Sequence, residues 1–135
     1  MQISNDKRSH YERIGGEAKV RELVQRFYQL MDELPEVHGV RKMHAASLKG
    51  SEEKLFMFLS GWMGGPQLFV EKFGHPRLRQ RHMPFSIGKE ERNQWLLCMD
   101  QALQDVVEDE SLRNELRVAF IKDGDALMEV MEMKE

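Results

Sequence analysis

Residues 74–85 read GHPRLRQRHMPF and predict a short helix around one histidine. Pro76 suits the first helical turn, because its missing N–H would be unpaired there and its φ is already helical. Pro84 ends the helix, since it disfavours helical geometry at the residue before it. One stripe of this helix consists of Leu78, His82 and Phe85. His82 is therefore a polar, ligand-capable side chain on an otherwise apolar face.

Helical periodicity recurs along the rest of the chain and no segment alternates like a strand, so the predicted fold class is all-α. Ser9 and Glu12 have the spacing of a capping box, and Gly15 should end that first helix. The predicted helices cover residues 9–14, 17–34, 51–63, 75–83, 89–107 and 111–131. Residues 35–50 should form a corner of short turns, and residues 69–73 an apolar connector that packs on the core.

The four long helices each have one apolar face that should line a common core. These faces comprise Val20, Leu23, Val24, Phe27, Met31 and Leu34; Leu55, Phe58, Leu59 and Trp62; Trp95, Cys98, Met99, Ala102 and Val106; and Leu112, Leu116, Ala119, Phe120, Leu127 and Val130. Tyr28 lies at the edge of its face, where the hydroxyl can reach water. Asp109 or Ser111 is the candidate N-cap of the last helix.

Chain length, net charge and cysteine count limit the classes of protein that this sequence can encode. The 135-residue chain should form one domain, over residues 1–135, with a single core. Its formal net charge is −3, from 20 basic and 23 acidic residues, which predicts no binding to nucleic acid or to an anionic membrane. Cys98 is the only cysteine, so the sequence has no disulfide pair and no CxxCH haem-attachment motif. It shows no signal-peptide run or membrane span, and we expect a cytoplasmic protein.

Spacing alone leaves the role of His82 open between a ligand and a hydrogen-bonded core residue, and it favours the core residue. A non-haem metal site has little support, because His75 lies two helical turns from His82 and no metal-binding motif is present. Cys98 lies mid-helix on a buried face, which is typical of a structural thiol. Tyr28 and Trp95, taken singly, are compatible with ordinary packing.

Five sequence blocks occur in an order that resembles a known family. They read YERIGG at 11–16, RFY at 26–28, GGP at 64–66, GHPRLRQRHMPF at 74–85 and ERNQWLLCM at 91–99. In this order they resemble the truncated (two-over-two) haemoglobins, and specifically group II. The resemblance implies a shortened globin fold, in which the second, fifth, seventh and eighth globin helices sandwich a haem.

The resemblance also implies that His82 is the proximal ligand of the iron. Its other ring nitrogen should donate to a carbonyl, for which the backbone oxygen of Leu78 is the candidate. The side chains implied to contact the cofactor are Phe58, Leu59, Phe69, Leu78, Phe85 and Trp95, with Arg79 and Arg81 at the propionates. Because a CxxCH motif is absent, the expected cofactor is non-covalent haem b.

On the distal side, the resemblance implies a ligand pocket lined by Tyr28, His44, Ser51, Leu55 and Trp95. Dioxygen bound there would carry partial negative charge, so the O–H of Tyr28 and the N–H of Trp95 are the required hydrogen-bond donors. Ser51 is small and should leave an open side route for ligands. The segment after Tyr28 is a few residues longer than the family pattern, which leaves His44 or His38 as the corner residue.

The implied function is reversible binding of dioxygen and other diatomic ligands such as NO and CO. The resemblance leaves open oxygen transport and the detoxification of NO or peroxynitrite, for which a reductase would be the partner. A weak haem peroxidase or a ligand or redox sensor is the alternative, although a peroxidase needs a distal base and a strongly hydrogen-bonded proximal imidazole. A helical interaction module without haem, in which His82 is a core residue, is a third class.

Overall fold

The computed structural model describes residues 7–42, 47–74 and 89–132, and these residues form helices joined by short turns, with no strand among them. The predicted all-α class is confirmed. The predicted helix over residues 75–83 lies outside the described ranges, as does His44.

The first helix, α1, covers His10–Ile14 and is bounded by the residues that the sequence predicts. Ser9 Oγ accepts a hydrogen bond from the N–H of Glu12 at 3.1 Å, and the Glu12 carboxylate accepts one from the N–H of Ser9 at 3.4 Å. This pair is the predicted capping box. Gly15 ends the helix at φ 118°, a left-handed conformation that glycine adopts without a steric penalty.

Helix α2 covers Glu17–Glu33 and turns one apolar face towards the core. Its buried residues are Val20, Leu23, Val24, Phe27, Tyr28, Leu30 and Met31. The predicted corner follows as a short 3₁₀ turn at Pro35–Val37 and helix α3 at His38–Lys42. Arg41 Nε donates to Asp32 Oδ1 at 2.6 Å, which ties the corner back to α2.

Helix α4 covers Lys49–Trp62 and begins shortly before the predicted start at Ser51. Its start is hard to predict because Leu48, at the N-cap position, offers no side-chain hydrogen bond. The expected connector contains a further helix, α5, at Leu68–Phe73. Phe69 is buried in it, so the connector packs on the core as predicted.

Two long helices follow, α6 at Lys89–Val106 and α7 at Glu110–Glu132. Asp109 Oδ1 accepts a hydrogen bond from a backbone N–H in the first turn of α7 at 3.2 Å, so Asp109 is the N-cap. The other candidate, Ser111, donates instead to a glutamate side chain one turn later at 3.4 Å.

The four long helices pack as two pairs. Helix α2 lies against α4 and α6 lies against α7, and the pairs meet where α2 contacts α6 and α4 contacts α7. The core between them is apolar, and Trp95, Phe27 and Phe120 are its largest fully buried side chains. This is the two-over-two arrangement that the resemblance implies.

Among the side chains that the structure describes, which do not include that of Val130, the predicted core faces are buried with few exceptions. Those that are only half-buried are Leu34, Phe58, Trp62 and Ala119. Helix α4 is buried more widely than its predicted stripe, because Phe56 and Met57 are also buried. The guanidinium of Arg21 lies 3.9 Å from the centroid of the Phe56 ring and covers it from the side of α2.

Helix α1 is tied to two other parts of the molecule. The N–H of Tyr11 donates to the carbonyl oxygen of Met63, at the end of α4, at 2.9 Å. Arg13 donates to Glu115 Oε1 at 2.8 Å, and His10 Nε2 lies 3.2 Å from the same oxygen. The short first helix therefore joins the end of α4 to α7.

Candidate ligand-binding site

Tyr28 lies on the inner side of α2 and is 2% exposed. Its hydroxyl donates to the backbone carbonyl oxygen of Ser51, near the start of α4, at 3.4 Å. This distance is long for an O–H···O hydrogen bond, which is usually ~2.7–2.8 Å. The prediction of an edge residue with its hydroxyl in water is thus wrong, because the crossing of α2 and α4 buries the phenol beside Ser51.

Trp95 lies on α6 and is fully buried. Its ring contacts Phe27, with centroids 5.1 Å apart, and Phe27 also meets the ring of Tyr28 edge-on at 4.9 Å. Both spacings are typical of packed aromatic pairs. Tyr28 on α2 and Trp95 on α6, the two predicted donors, therefore contact the same phenylalanine ring.

Phe27 is a further candidate site residue, which the sequence predicts only as part of the core. It is fully buried, as predicted; its contact with Tyr28 joins neighbours in α2, whereas its contact with Trp95 depends on how α2 packs against α6. The one sequence signal for a further role is its place in the block RFY, directly before Tyr28.

Helix α4 contributes two more of the predicted distal residues. Ser51 is half-buried and Leu55 is fully buried. They are one helical turn apart and so lie on the same face of α4. Because the backbone of Ser51 meets the Tyr28 hydroxyl, this end of α4 is close to the phenol.

The predicted porphyrin-wall residues of α4 and α5 belong to one apolar cluster. Leu59 is fully buried, Phe69 is 2% exposed and Phe58 is half-buried. Phe58 and Phe69 meet edge-to-face with centroids 5.4 Å apart, and Phe69 also contacts Phe73 at 4.8 Å. These aromatic contacts hold α5 against α4.

The remaining predicted site residues lie outside the described ranges. They are His44, Leu78, Arg79, Arg81, His82 and Phe85. Their roles, including that of His82 as the iron ligand, stay predictions. His38, the alternative to His44 at the corner, is exposed at the start of α3, so the structure does not turn it towards the core.

Cys98 lies on the buried face of α6, one turn after Trp95, and is fully buried. Burial raises the pKa of its thiol to about 12, because the thiolate would be poorly solvated there. A thiol with such a pKa stays protonated at neutral pH and is a poor nucleophile. This agrees with the predicted structural role.

The chain belongs to the bacterial-like globins, since the family model of that description matches residues 9–128. The matched range contains all five blocks that carry the resemblance to truncated haemoglobins. It also contains both buried donors, Tyr28 and Trp95.

Within this family, the similar proteins include truncated haemoglobins that are named as group II, as the sequence blocks predict. The group II 2-on-2 hemoglobin from Agrobacterium tumefaciens is 43% identical, with a TM-score of 0.81 over 98% of this chain and 100% of that one. The cold-adapted truncated hemoglobin from Pseudoalteromonas haloplanktis TAC125 is 39% identical, with a TM-score of 0.81 over 95% and 100%. A group 2 truncated hemoglobin from Bacillus subtilis (strain 168) is 38% identical over 96 residues, which are 71% of this chain and 70% of that protein.

Membership of this family implies that the chain is a haem protein that binds small diatomic ligands. It argues against the haem-free interaction module. Across the part of the chain that the structure describes, no helix is both long enough and apolar enough to span a membrane.

Proposed function

We propose that the chain is a haem b protein that reversibly binds dioxygen and other diatomic ligands, among them NO and CO, in a single globin domain. One observation carries the proposal. Tyr28 and Trp95, two buried hydrogen-bond donors, lie on facing helices against the same Phe27 ring. Hydrogen-bond donors that are held in place within an apolar site stabilise a ligand that carries partial negative charge.

The described residues fit the distal half of a haem pocket. The bond of 3.4 Å between the Tyr28 hydroxyl and Ser51 is long, so a ligand with more negative charge would compete for the same donor. Leu55, Leu59 and Phe69 supply buried apolar side chains against which a porphyrin can pack. When bound, the haem supplies the iron centre that holds the diatomic ligand. His44 completes the proposed distal lining.

For the proximal half, the proposal assigns His82 as the iron ligand. A neutral imidazole presents one ring nitrogen to the metal, and its other N–H is proposed to donate to the carbonyl of Leu78. Arg79 and Arg81 are proposed to bind the propionates through charge-assisted hydrogen bonds. Phe85 is proposed to pack on the porphyrin together with the side chain of Leu78.

The two donors support ligand retention as the main property of the site. Each hydrogen bond to a bound ligand should contribute about 1–3 kcal/mol, which slows its escape about fivefold to more than a hundredfold. Slow escape suits stable oxygen binding and the oxidation of NO or peroxynitrite with a reductase as partner, and oxygen transport is the other function that we propose. We place both functions in the cytoplasm, where the lone thiol of Cys98 stays reduced.

An absorption spectrum of the purified protein tests the proposal. We expect a Soret band in the wild type that is lost in His82→Ala. His75→Ala is the matched control, because this histidine lies in the same predicted helix two turns away and should leave the band unchanged. Extraction of the haem by acidic organic solvent would show that it is not covalently attached.

Two outcomes would contradict the proposal. A colourless protein that cannot take up haemin would overturn haem binding altogether. An unchanged Soret band in His82→Ala would overturn the assignment of the proximal ligand.

A further inference from the structure

A row of three aromatic rings leads from Trp95 to the edge of the molecule. Trp95 of α6 and Phe120 of α7 have centroids 5.9 Å apart, and Phe120 stacks on Trp62 of α4 at 4.6 Å and 28°. Trp95 and Phe120 are 0% and 1% exposed, whereas Trp62 is half-buried. The row therefore connects the proposed ligand pocket with a tryptophan that solvent reaches.

Trp62 has a proton acceptor at its indole nitrogen. The Nε1–H donates to Asp123 Oδ2 at 3.0 Å, and Asp123 lies one turn from Phe120 on α7. An indole that loses an electron becomes a much stronger N–H acid, so a carboxylate that is hydrogen-bonded to it can take the proton. Oxidation of Trp62 is easier in this arrangement, because no positive charge remains on the ring.

We propose that Trp62 is an electron-transfer site, at which a small phenol gives electrons to the protein while a peroxide is reduced in the haem pocket. The inference rests on the haem binding of the proposed function, and it adds a weak peroxidase activity to the reversible binding of diatomic ligands. The peroxide reacts beside Trp95. Electrons pass inward from Trp62 to Trp95, with Phe120 as the packed ring between them. The phenol acts at the surface and does not have to enter the buried pocket.

The electrons and atoms balance over two one-electron cycles. In each cycle Trp62 gives one electron to the pocket and its indole proton to Asp123, which leaves a neutral tryptophanyl radical. A phenol then gives a hydrogen atom to that radical, which restores the indole, and Asp123 releases its proton to solvent. The peroxide takes up two electrons and two protons in total. One hydrogen peroxide and two phenols therefore yield two waters and two phenoxyl radicals.

Few side chains of this protein can be oxidised in this way, because it has two tryptophans and two tyrosines. Tyr28 and Trp95 are buried, and the half-buried Tyr11 packs its ring against the backbone of Gly65, in the loop that follows α4. Of the four, Trp62 is the one for which the described residues combine solvent contact, a ring stack towards the pocket and a hydrogen-bonded carboxylate.

A purely structural role is the competing explanation for Trp62. Its stack on Phe120 and its hydrogen bond to Asp123 both hold α4 against α7. Such a role predicts that substitutions lower stability, but it predicts no preference for the place where oxidation occurs. The two explanations therefore differ in a chemical readout.

The first experiment uses the wild-type protein with haem bound. It is treated with hydrogen peroxide in the presence of a nitroso spin trap, and the adduct is located by peptide mass spectrometry. We expect an adduct on Trp62. Adducts confined to Tyr11, Tyr28 or Trp95 would overturn the inference, and this result needs no variant that has to fold.

The second experiment compares variants in the peroxide-driven oxidation of guaiacol. Trp62→Phe keeps a ring against Phe120 but removes the oxidisable indole, and Asp123→Asn keeps a hydrogen-bond acceptor but removes the base. In both variants the rate should fall at least about tenfold, while the Soret band and dioxygen binding stay unchanged. Tyr11→Phe is the matched control and should keep the wild-type rate.

Different experimental results would overturn the electron-transfer site and the proposed function. If wild type, Trp62→Phe and Asp123→Asn bind haem and dioxygen and oxidise guaiacol at equal rates, the electron-transfer site is overturned and the proposed function stands. If the wild type takes up no haemin, the proposed function is overturned, and the electron-transfer site with it.

Discussion

The ring of Tyr11 lies directly against the backbone of Gly65. A β-carbon at position 65 would lie 2.7 Å from Cε1 of that ring, closer than β-carbons approach other atoms in real structures. The N–H of Tyr11 also donates to the carbonyl oxygen of Met63 at 2.9 Å. The blocks YERIGG and GGP, which are distant in sequence, thus form one joint where α1 closes on the loop between α4 and α5.

Gly65→Ala should lower the free energy of unfolding by about 1–3 kcal/mol, because the Tyr11 ring would have to move to make room. Denaturant unfolding of the two proteins measures the difference. Gly50→Ala is the matched control in α4, since a β-carbon there meets none of the described residues within 4 Å. It should leave stability unchanged or raise it by about 0.5–1 kcal/mol. Equal stability of Gly65→Ala and wild type would contradict the tight joint.

Tyr28→Phe should speed the dissociation of dioxygen about fivefold to more than a hundredfold, because the proposed hydrogen bond to the ligand is lost. Stopped-flow mixing measures the rate. Tyr11→Phe removes the other tyrosine hydroxyl and should leave the rate unchanged. No change in Tyr28→Phe would mean that the distal donor is misassigned, and Trp95→Phe would then be the next variant to measure.

Glu115 should contribute stability that depends on pH. The hydrogen bond from Arg13 holds the pKa of this carboxyl below its ordinary value of 4.5, partial burial opposes that shift, and His10 adds to it. A pKa that is lower in the folded than in the unfolded state stabilises the fold above pH 4.5, and this contribution is lost as the pH falls through 4.5 and the lower folded value.

Glu115→Gln should therefore lower the free energy of unfolding at neutral pH by no more than about 1 kcal/mol, because the ion pair is partly exposed to solvent. The difference from wild type should vanish in acid, where the wild-type carboxyl is also neutral. Urea unfolding across pH measures both effects. Glu108→Gln, an exposed position in the loop between α6 and α7, is the control. A difference that stays constant down to low pH would contradict this account.

Cys98 should not react with a thiol reagent in the native protein, because it is fully buried and the pKa of its thiol is raised to about 12. Its reaction with an aromatic disulfide reagent in mildly alkaline buffer measures this. Unfolding in guanidinium should expose the thiol and release one equivalent of the coloured product. Rapid reaction of the native protein would mean that α6 opens locally around this residue.

Much of the helical structure is predictable from short stretches of sequence. The capping box of Ser9 and Glu12, the stop at Gly15 and the cap at Asp109 act within one helical turn, and the structure agrees with each. The start of α4 is less well predicted, because Leu48 has no polar side chain that marks it. Among the site residues, the sequence pointed to Tyr28 and Trp95 through the family blocks and not through their spacing.

The amino-acid sequence by itself determined the all-α class, most helix ends and the membership of a globin family. Capping, glycine conformation and apolar periodicity all act over a few residues, and five ordered blocks are a specific pattern. Only the tertiary structure decided that Tyr28 is buried against Ser51, that Phe27 contacts Trp95 and that Phe120 lies between Trp62 and Trp95. These contacts depend on the angles at which four helices cross, and those angles are set by the packing of the whole core rather than by any one segment.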